Sequence, residues 1–358
     1  MYRNTKNVPY YVFGRGSLAQ LGDLLKPRRE AVDGPVVYFV DHFFREHELI
    51  GRLPMEKGDQ LHFVDSSSEP EVTRIDAFKE AVSAADSRIP CCVVGIGGGN
   101  ALDTAKAVAN LLTNPGKAED YQGWELVKNP AVYKIGIPTL SGTGSECSRT
   151  CVLTNIPKNL KLGMNSDYTV YDQLLLDPDL LATVPRNQYF YTGIDTFMHC
   201  VESLQGSYRN AIIDAFSVRA VQLCEEIFLS DDMMSEENRE KMMIASYIGG
   251  MAAGNVGVIH PFSAGLGVVL HVAHGLGNCL ALNVLGDIYP KEYKQFRTMI
   301  ERQGVNLPTG ICKDLTEEQY EGLYRGCIVH EKPLTNALGP DFKQILTREN
   351  LIERYKSI

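Results

Sequence analysis

The chain has 358 residues, 44% of them apolar and 22% charged, with a formal net charge of −9. This length suggests two domains, each able to bury its own core, in an ordinary globular composition. The acidic balance and the lack of a long basic run exclude nucleic acid as an expected partner, and no apolar run reaches the roughly 18 residues of a membrane span. The N-terminus, MYRNTKNVPYYVFGRG, lacks the apolar stretch of a secretory signal. Nine cysteines occur without a Cys-x-x-Cys pair. They read as reduced core thiols of a cytoplasmic protein.

In chain order, PVVYFVD (35–41) predicts a buried parallel strand ending in an acid. Residues 70–86 carry apolar positions at helical spacing. PCCVVGIGGGN (90–100) predicts a second buried strand entering a glycine turn. A helix over 101–114 follows, stopped by Asn114-Pro115-Gly116. YKIGIPTL (133–140) predicts a further strand. Such alternation predicts a parallel α/β sheet. After Pro185 the pattern turns helical, over 187–205, 209–229, 235–254, 260–270, 274–289, 290–303 and 315–329. The expected organisation is a Rossmann-like, dinucleotide-binding α/β domain at 1–182, followed by an all-helical metal and substrate domain at 183–358.

Three groups of residues carry chemistry. Gly97-Gly98-Gly99-Asn100 lies between strand and helix. Glycines there let the backbone approach a ligand, and the helix N-terminus suits a pyrophosphate, although the spacing is not GxGxxG. Asp103 and Lys106 follow in the first two turns. PTLSGTGSEC (138–147) is a second loop dense in glycine and hydroxyls. It can hydrogen-bond phosphate, ribose or carboxamide, and Asp41 at a strand end can accept from ribose hydroxyls. Third, Asp195 and His199 stand one helical turn apart, while His260, His271 and His274 crowd into one later segment. One carboxylate and three imidazoles suit a catalytic divalent metal. On sequence alone His271 competes with His274.

Taken together, these motifs resemble the iron-dependent, group III alcohol dehydrogenases. Thr192-Gly193-Ile194-Asp195-Thr196-Phe197-Met198-His199 follows that family's TG-x-D-x-x-x-H, and His260 and His274-Gly275 follow its pair of histidines fourteen residues apart. Gly97 to Asn100, with Asp103 and Lys106, match its glycine turn, and Pro138–Glu146 match its PTTAGTGSE loop. Lys161 and Asp41 match its cofactor lysine and its NAD-favouring aspartate. The resemblance implies a dehydroquinate synthase-like architecture. It implies Fe(II) or Zn(II) on Asp195, His199, His260 and His274. NAD is then expected on Asp41, Gly97, Gly98, Gly99, Asn100, Asp103, Thr139, Leu140, Thr143, Ser145 and Lys161. Where many members carry a further histidine, this chain has Ala264, which leaves His271 as the candidate proton relay.

HPFSAGLG (260–267) and IVHEKPLTNALGP (328–340) resemble a branch of the family that acts on a sugar acid. That resemblance implies oxidation of the C8 hydroxyl of 3-deoxy-D-manno-octulosonate to an aldehyde. A pyridoxal-phosphate aminotransferase would then aminate it, in lipopolysaccharide sugar biosynthesis. Arg149, His330 and Lys332 are the candidates for holding the substrate carboxylate, and a homodimer is expected. The alternatives are an alcohol or polyol dehydrogenase of the same family with another substrate, and a dehydroquinate synthase-like lyase. The lyase would need clustered basic residues for a phosphorylated substrate.

Overall fold

The computed structural model describes residues 6–158 and 160–358. It divides into two compact units. The first runs to Leu140 and resumes at Ser145–Thr183; the second combines Ser141–Gly144 with Val184–Ile358.

The first unit holds strands β1 (Tyr10–Phe13), β2 (Val36–Asp41), β3 (Gln60–Val64), β4 (Cys92–Gly97), β5 (Gly123–Trp124), β6 (Lys134–Pro138), β7 (Thr150–Asn155), β8 (Leu160–Asn165) and β9 (Gln173–Leu176). Its helices are α1 (Leu21–Ala31), α2 (Val72–Ala85) and α3 (Gly99–Leu111). Six strands form one sheet in the order β1-β9-β6-β4-β2-β3, with every pairing parallel. Val36–Val40 of β2 and all of β4 are buried, so they read as unbroken apolar runs rather than alternating ones. All of Ala101–Leu111 in α3 is buried too, which makes α3 the central helix of this unit.

Strand order places the ligand crevice. β3 lies outside β2, and β6 lies on the far side of β4. The loops that leave β2 and β4 therefore diverge, and open α/β sheets bind ligands at the carboxyl ends of strands at such a switch point. The register from Val36↔Cys92 to Val40↔Ile96 sets Asp41 beside Gly97 there. A small second sheet, β5-β8-β7, contains an antiparallel hairpin of β7 and β8.

The second unit is helical. It comprises α4 (Arg186–Gln205), α5 (Ala211–Phe228), α6 (Glu236–Gly249), α7 (Ile259–Leu270), α8 (His274–Val284), α9 (Pro290–Gln303), α10 (Glu317–Ile328), α11 (Glu331–Leu338), α12 (Phe342–Ile345) and α13 (Arg348–Lys356). Residues Thr192–Ser203 of α4 are all buried, as in a helix surrounded by others. α4 packs against α5 and α8, and α7 against α8 and α10. Two expected helices are shorter than their patterns. The one predicted to reach 254 ends at Gly249 and tightens into a 3₁₀ turn over Gly250–Asn255, and the one predicted to reach 289 ends at Val284. All nine cysteines are buried, and none of them forms a disulfide among the described residues. No single described helix is long and apolar enough to cross a membrane. The fold class is the expected one: a parallel α/β unit followed by a helical unit.

Candidate metal and cofactor site

The helical unit gathers its polar residues around Asp195, which is fully buried. Asp195 Oδ1 lies 3.1 Å from His260 Nε2 and 3.7 Å from His199 Nε2, and Oδ2 lies 3.8 Å from His274 Nε2. One ligand atom each from Asp195, His260 and His274 falls within a mutual 4.8 Å. His199 joins them at one remove, its ring stacked on His260 with centroids 4.5 Å apart. Helix geometry explains the convergence. Asp195 and His199 are one turn apart on α4, His260 is the second residue of α7, and His274 is the first residue of α8.

Two residues that the motif reading did not single out complete the cluster. Asn278, one turn after His274, is buried; its Nδ2 donates to Asp195 Oδ1 at 2.6 Å and lies 3.4 and 3.3 Å from Nε2 of His260 and His274. Glu202 is 1% exposed, and its Oε2 meets His260 Nδ1 at 2.5 Å. Their spacing was the available signal: Glu202 continues the Asp195–His199 face of α4, and Asn278 shares a face with His274.

These residues fit a divalent cation. Three acceptor atoms converge on the single Asn278 nitrogen, so a cationic centre would find its ligands already aimed. Asp195 Oδ2 and His199 Nδ1 are buried without hydrogen-bond partners among the described residues. Asp195 and Glu202 bury two carboxylates in one helix, which is costly unless positive charge accompanies them. Electrostatics agree. Burial alone would raise the Asp195 carboxyl, but His199, His274 and His260 hold it well below the usual range. Burial alone would lower His260, yet Glu202 and Asp195 raise it to about 9. Burial dominates at His199 and lowers it to about 4.

The candidate cofactor residues gather at the switch point. Gly97 sits at φ 152°, and a Cβ there would lie 2.6 Å from Ala101 Cβ and 3.0 Å from Asp41 Cβ, so only glycine fits. Asp41 Oδ1 accepts from Phe43 N (3.0 Å) and Ser66 Oγ (2.9 Å). Asn100 Nδ2 donates to the carbonyls of Ser66 (3.3 Å) and Ser68 (2.8 Å), which ties the start of α3 to the segment after β3. Thr139 N donates to Gly97 O at 3.0 Å, and Leu140 lies against Gly98. Thr143 belongs to the segment 141–144 of the helical unit.

Other expected cofactor residues turn inward. Asp103 accepts from Ser145 Oγ and from Val152 N (2.8 Å), and Lys106 is fully buried among the carbonyls of Ser145, Ser148 and Thr150. That pair anchors the second loop rather than presenting charge to a ligand. Lys161, on β8, forms an ion pair with Glu69 at 3.0 Å.

The expected substrate residues fare unevenly. Arg149 is held between Asp167 (2.6 Å) and Glu125 (2.5 Å). A substrate carboxylate would have to displace one of them, so Arg149 is a poor anion receptor. His330 precedes α11, and Lys332 lies in its first turn; both are half-buried. His271 ends α7 in the left-handed conformation (φ 54°) with an exposed side chain.

Comparisons with known proteins give the family. The model of the iron-containing alcohol dehydrogenases matches residues 9–178, and that of the C-terminal region of the Fe-containing alcohol dehydrogenase family matches 189–322. The chain belongs to the iron-containing alcohol dehydrogenase family, whose members are NAD-dependent oxidoreductases with a divalent metal. It is 34% identical over 220 residues to a sulfoacetaldehyde reductase of Bilophila wadsworthia, an alignment covering 60% of this chain and 56% of that protein. It is 29% identical over 282 residues to an NAD-dependent methanol dehydrogenase of Bacillus methanolicus, covering 75% and 71%. In fold it is similar to the crystal structure of sulfoacetaldehyde reductase from Bifidobacterium kashiwanohense in complex with NAD+. There the TM-score is 0.79 at 24% identity, over 99% of this chain and 98% of that one.

Proposed function

We propose that this chain transfers hydride between a primary alcohol and NAD at a divalent metal held by Asp195, His199, His260 and His274. The observation that carries this reading is the convergence of Asp195, His260 and His274 within 4.8 Å in a buried cluster. When bound, the metal supplies a Lewis acid that lowers the pKa of a substrate hydroxyl, and NAD supplies the hydride acceptor. Asp195 offsets part of the cation's charge, and the imidazoles donate neutral lone pairs. Ala264 is buried and carries no proton; the relay role is assigned to His271, as the exposed histidine nearest the ligand pair in sequence.

For the cofactor, the amides of Gly97 to Gly99 at the start of α3 receive the pyrophosphate. Asn100, Thr139, Leu140, Thr143 and Ser145 shape the two loops, and Asp103 holds Ser145 in place. Asp41 accepts from the adenosine ribose hydroxyls, and its charge opposes a 2′-phosphate, which favours NAD. Lys161 reaches a ribose hydroxyl while Glu69 balances its charge.

The substrate assigned here is an anionic primary alcohol, namely the C8 hydroxyl of 3-deoxy-D-manno-octulosonate, whose aldehyde product an aminotransferase would consume. This rests on the segments 260–267 and 328–340, and the carboxylate falls to His330 and Lys332. A second reading, sulfoacetaldehyde and its alcohol, is favoured by the relative at 34% identity. Both substrates are anionic. Assays of the metal-loaded protein with NAD and the sugar acid, and with NADH and sulfoacetaldehyde, separate the two. Turnover of neutral primary alcohols alone overturns the anionic reading, and no NAD turnover with any alcohol or aldehyde overturns the oxidoreductase.

A homodimer is assigned to the β1 side of the large sheet. β1 is an edge strand with Tyr10, Tyr11 and Phe13 exposed, and such edges invite pairing. A monomer by light scattering overturns it.

A further inference from the structure

Glu202 lies outside the four proposed ligands, and its contacts are specific. It is 1% exposed on α4, and its two oxygens divide their work. Oε1 accepts from the backbone N–H of Ile259 (2.6 Å) and from the Tyr289 hydroxyl (3.2 Å). That hydroxyl already accepts from Val258 N at 3.0 Å, so it has its hydrogen to give to Glu202. Oε2 faces His260 Nδ1 at 2.5 Å. An ionised carboxylate only accepts hydrogen bonds. The hydrogen between them therefore sits on Nδ1, so the proton that His260 must give up to bind a metal is the one on Nε2, the nitrogen aimed at Asp195.

We infer that Glu202 is a positioning residue that fixes which nitrogen of His260 can bind metal. The inference rests on the reading of His260 as a ligand. A carboxylate behind a ligating imidazole is a recurring way to set its tautomer and orientation, and its loss typically costs about 10- to 100-fold in metal affinity. Here the surroundings make the dependence unusually testable. Ile259 N–H is a fixed donor at the start of α7, so an amide placed at 202 turns its oxygen toward it. In Glu202→Gln the amide oxygen satisfies Ile259 and Tyr289, and the amide nitrogen then points at His260 Nδ1. Two donors cannot share that contact. His260 Nδ1 must accept, its hydrogen moves to Nε2, and the metal-facing lone pair is gone. Turning the amide round instead sets its nitrogen against Ile259 N–H, which leaves a buried donor unsatisfied. The isosteric variant is thus the more damaging one. Glu202→Ala removes both the acceptor and the opposing donor, and leaves the ring free to choose.

The experiment measures Zn(II) affinity by chelator competition on the folded protein, with imidazole ¹⁵N shifts of histidine-labelled apoprotein recorded at a pH where the His260 ring is neutral, and circular dichroism to verify folding. Wild type, Glu202→Gln, Glu202→Ala and His260→Ala are compared. The expected order is wild type tightest, Glu202→Ala weaker, and Glu202→Gln weaker still by roughly 10- to 100-fold against wild type. In Glu202→Gln the His260 ring hydrogen should be on Nε2. Unchanged affinity in Glu202→Gln, with or without a change in melting temperature, overturns the inference. So does an equal or larger loss in Glu202→Ala, because charge rather than hydrogen placement would then be responsible. Should Glu202→Gln fail to fold, the ring nitrogen shifts decide from Glu202→Ala: His260 held in the Nδ1–H form without the carboxylate overturns the inference, and a mixture of forms supports it. Unchanged affinity in His260→Ala overturns the ligand reading itself, and is distinguishable because it leaves no ligand for Glu202 to position.

Discussion

Replacing Gly142 with alanine should damage the metal site from a distance in sequence. Gly142 belongs to PTLSGTGSE, yet its backbone is locked to the helices of the second unit. Its N–H donates to Ser246 Oγ at 2.8 Å, and its carbonyl accepts from Thr196 Oγ1 at 2.9 Å. A Cβ at 142 would stand 1.7 Å from Thr192 O and 2.3 Å from Thr192 C. An ordinary carbon–oxygen contact is about 3.3 Å or more, so α4 or the loop must give way by roughly 1.6 Å. The backbone at φ 141° adds strain of its own. Strained backbone costs about 1–3 kcal/mol and overpacking about 1–3 kcal/mol, or roughly 4 kcal/mol together. At about 2–4 °C per kcal/mol for a unit of this size, the melting temperature should fall by roughly 8–16 °C. Thr192 precedes Asp195 by less than one turn, so bound metal per folded chain should fall as well. Calorimetry and metal analysis test this, with Gly254→Ala as a control because a Cβ there meets nothing within 4 Å. A melting temperature for Gly142→Ala equal to that of the control would refute the reasoning.

His199→Ala or His274→Ala should abolish stoichiometric metal, and chelation should lower the wild-type melting point while leaving those variants unmoved; full occupancy in either by elemental analysis rejects the assignment. Asp41→Asn keeps an acceptor for Phe43 N and Ser66 Oγ but loses the charge, so the preference for NAD over NADP should weaken by about tenfold, or ~1.4 kcal/mol; nucleotide titration giving an unchanged ratio removes that role from Asp41. Asp59 accepts from Arg29 Nη1 and Nη2, Val36 N and Glu56 N. Burial would raise its carboxyl, but these partners outweigh it and hold the pKa below the ordinary value. A depressed folded pKa contributes stability above the unfolded value near ~4, and that stability is lost as pH falls through the folded value. Asp59→Asn should therefore be less stable than wild type at neutral pH and flatter in acid, and parallel denaturation curves from pH 7 to 3 would contradict this.

Local sequence determined much of this protein. β2 and β4 were legible because both faces are covered and every side chain but the terminal Asp41 is apolar, and α9 because its pattern ends in Arg302 and Gly304. The Asp195–His199 turn was legible because helical spacing alone puts the two on one face. Other elements were hidden. α1 carries Pro27 within it, β5 has only two residues, and the hairpin strands are six residues each, with β7 alternating buried and half-buried positions and β8 breaking that alternation. Asp103, Lys106 and Arg149 read in sequence as charges facing either ligand or solvent, and in the fold each meets partners distant in the chain, such as Ser145, Thr150 and Asp167. Sequence assigns a charge to a position but not the partner that neutralises it. Helical spacing offered Glu202 as a third member of the α4 face, but only the arrival of Ile259, His260 and Tyr289 from other helices gave its two oxygens their separate tasks. Periodicity is written in neighbouring residues, whereas hydrogen-bond satisfaction in a buried cluster depends on which distant donors the packing brings within 3 Å.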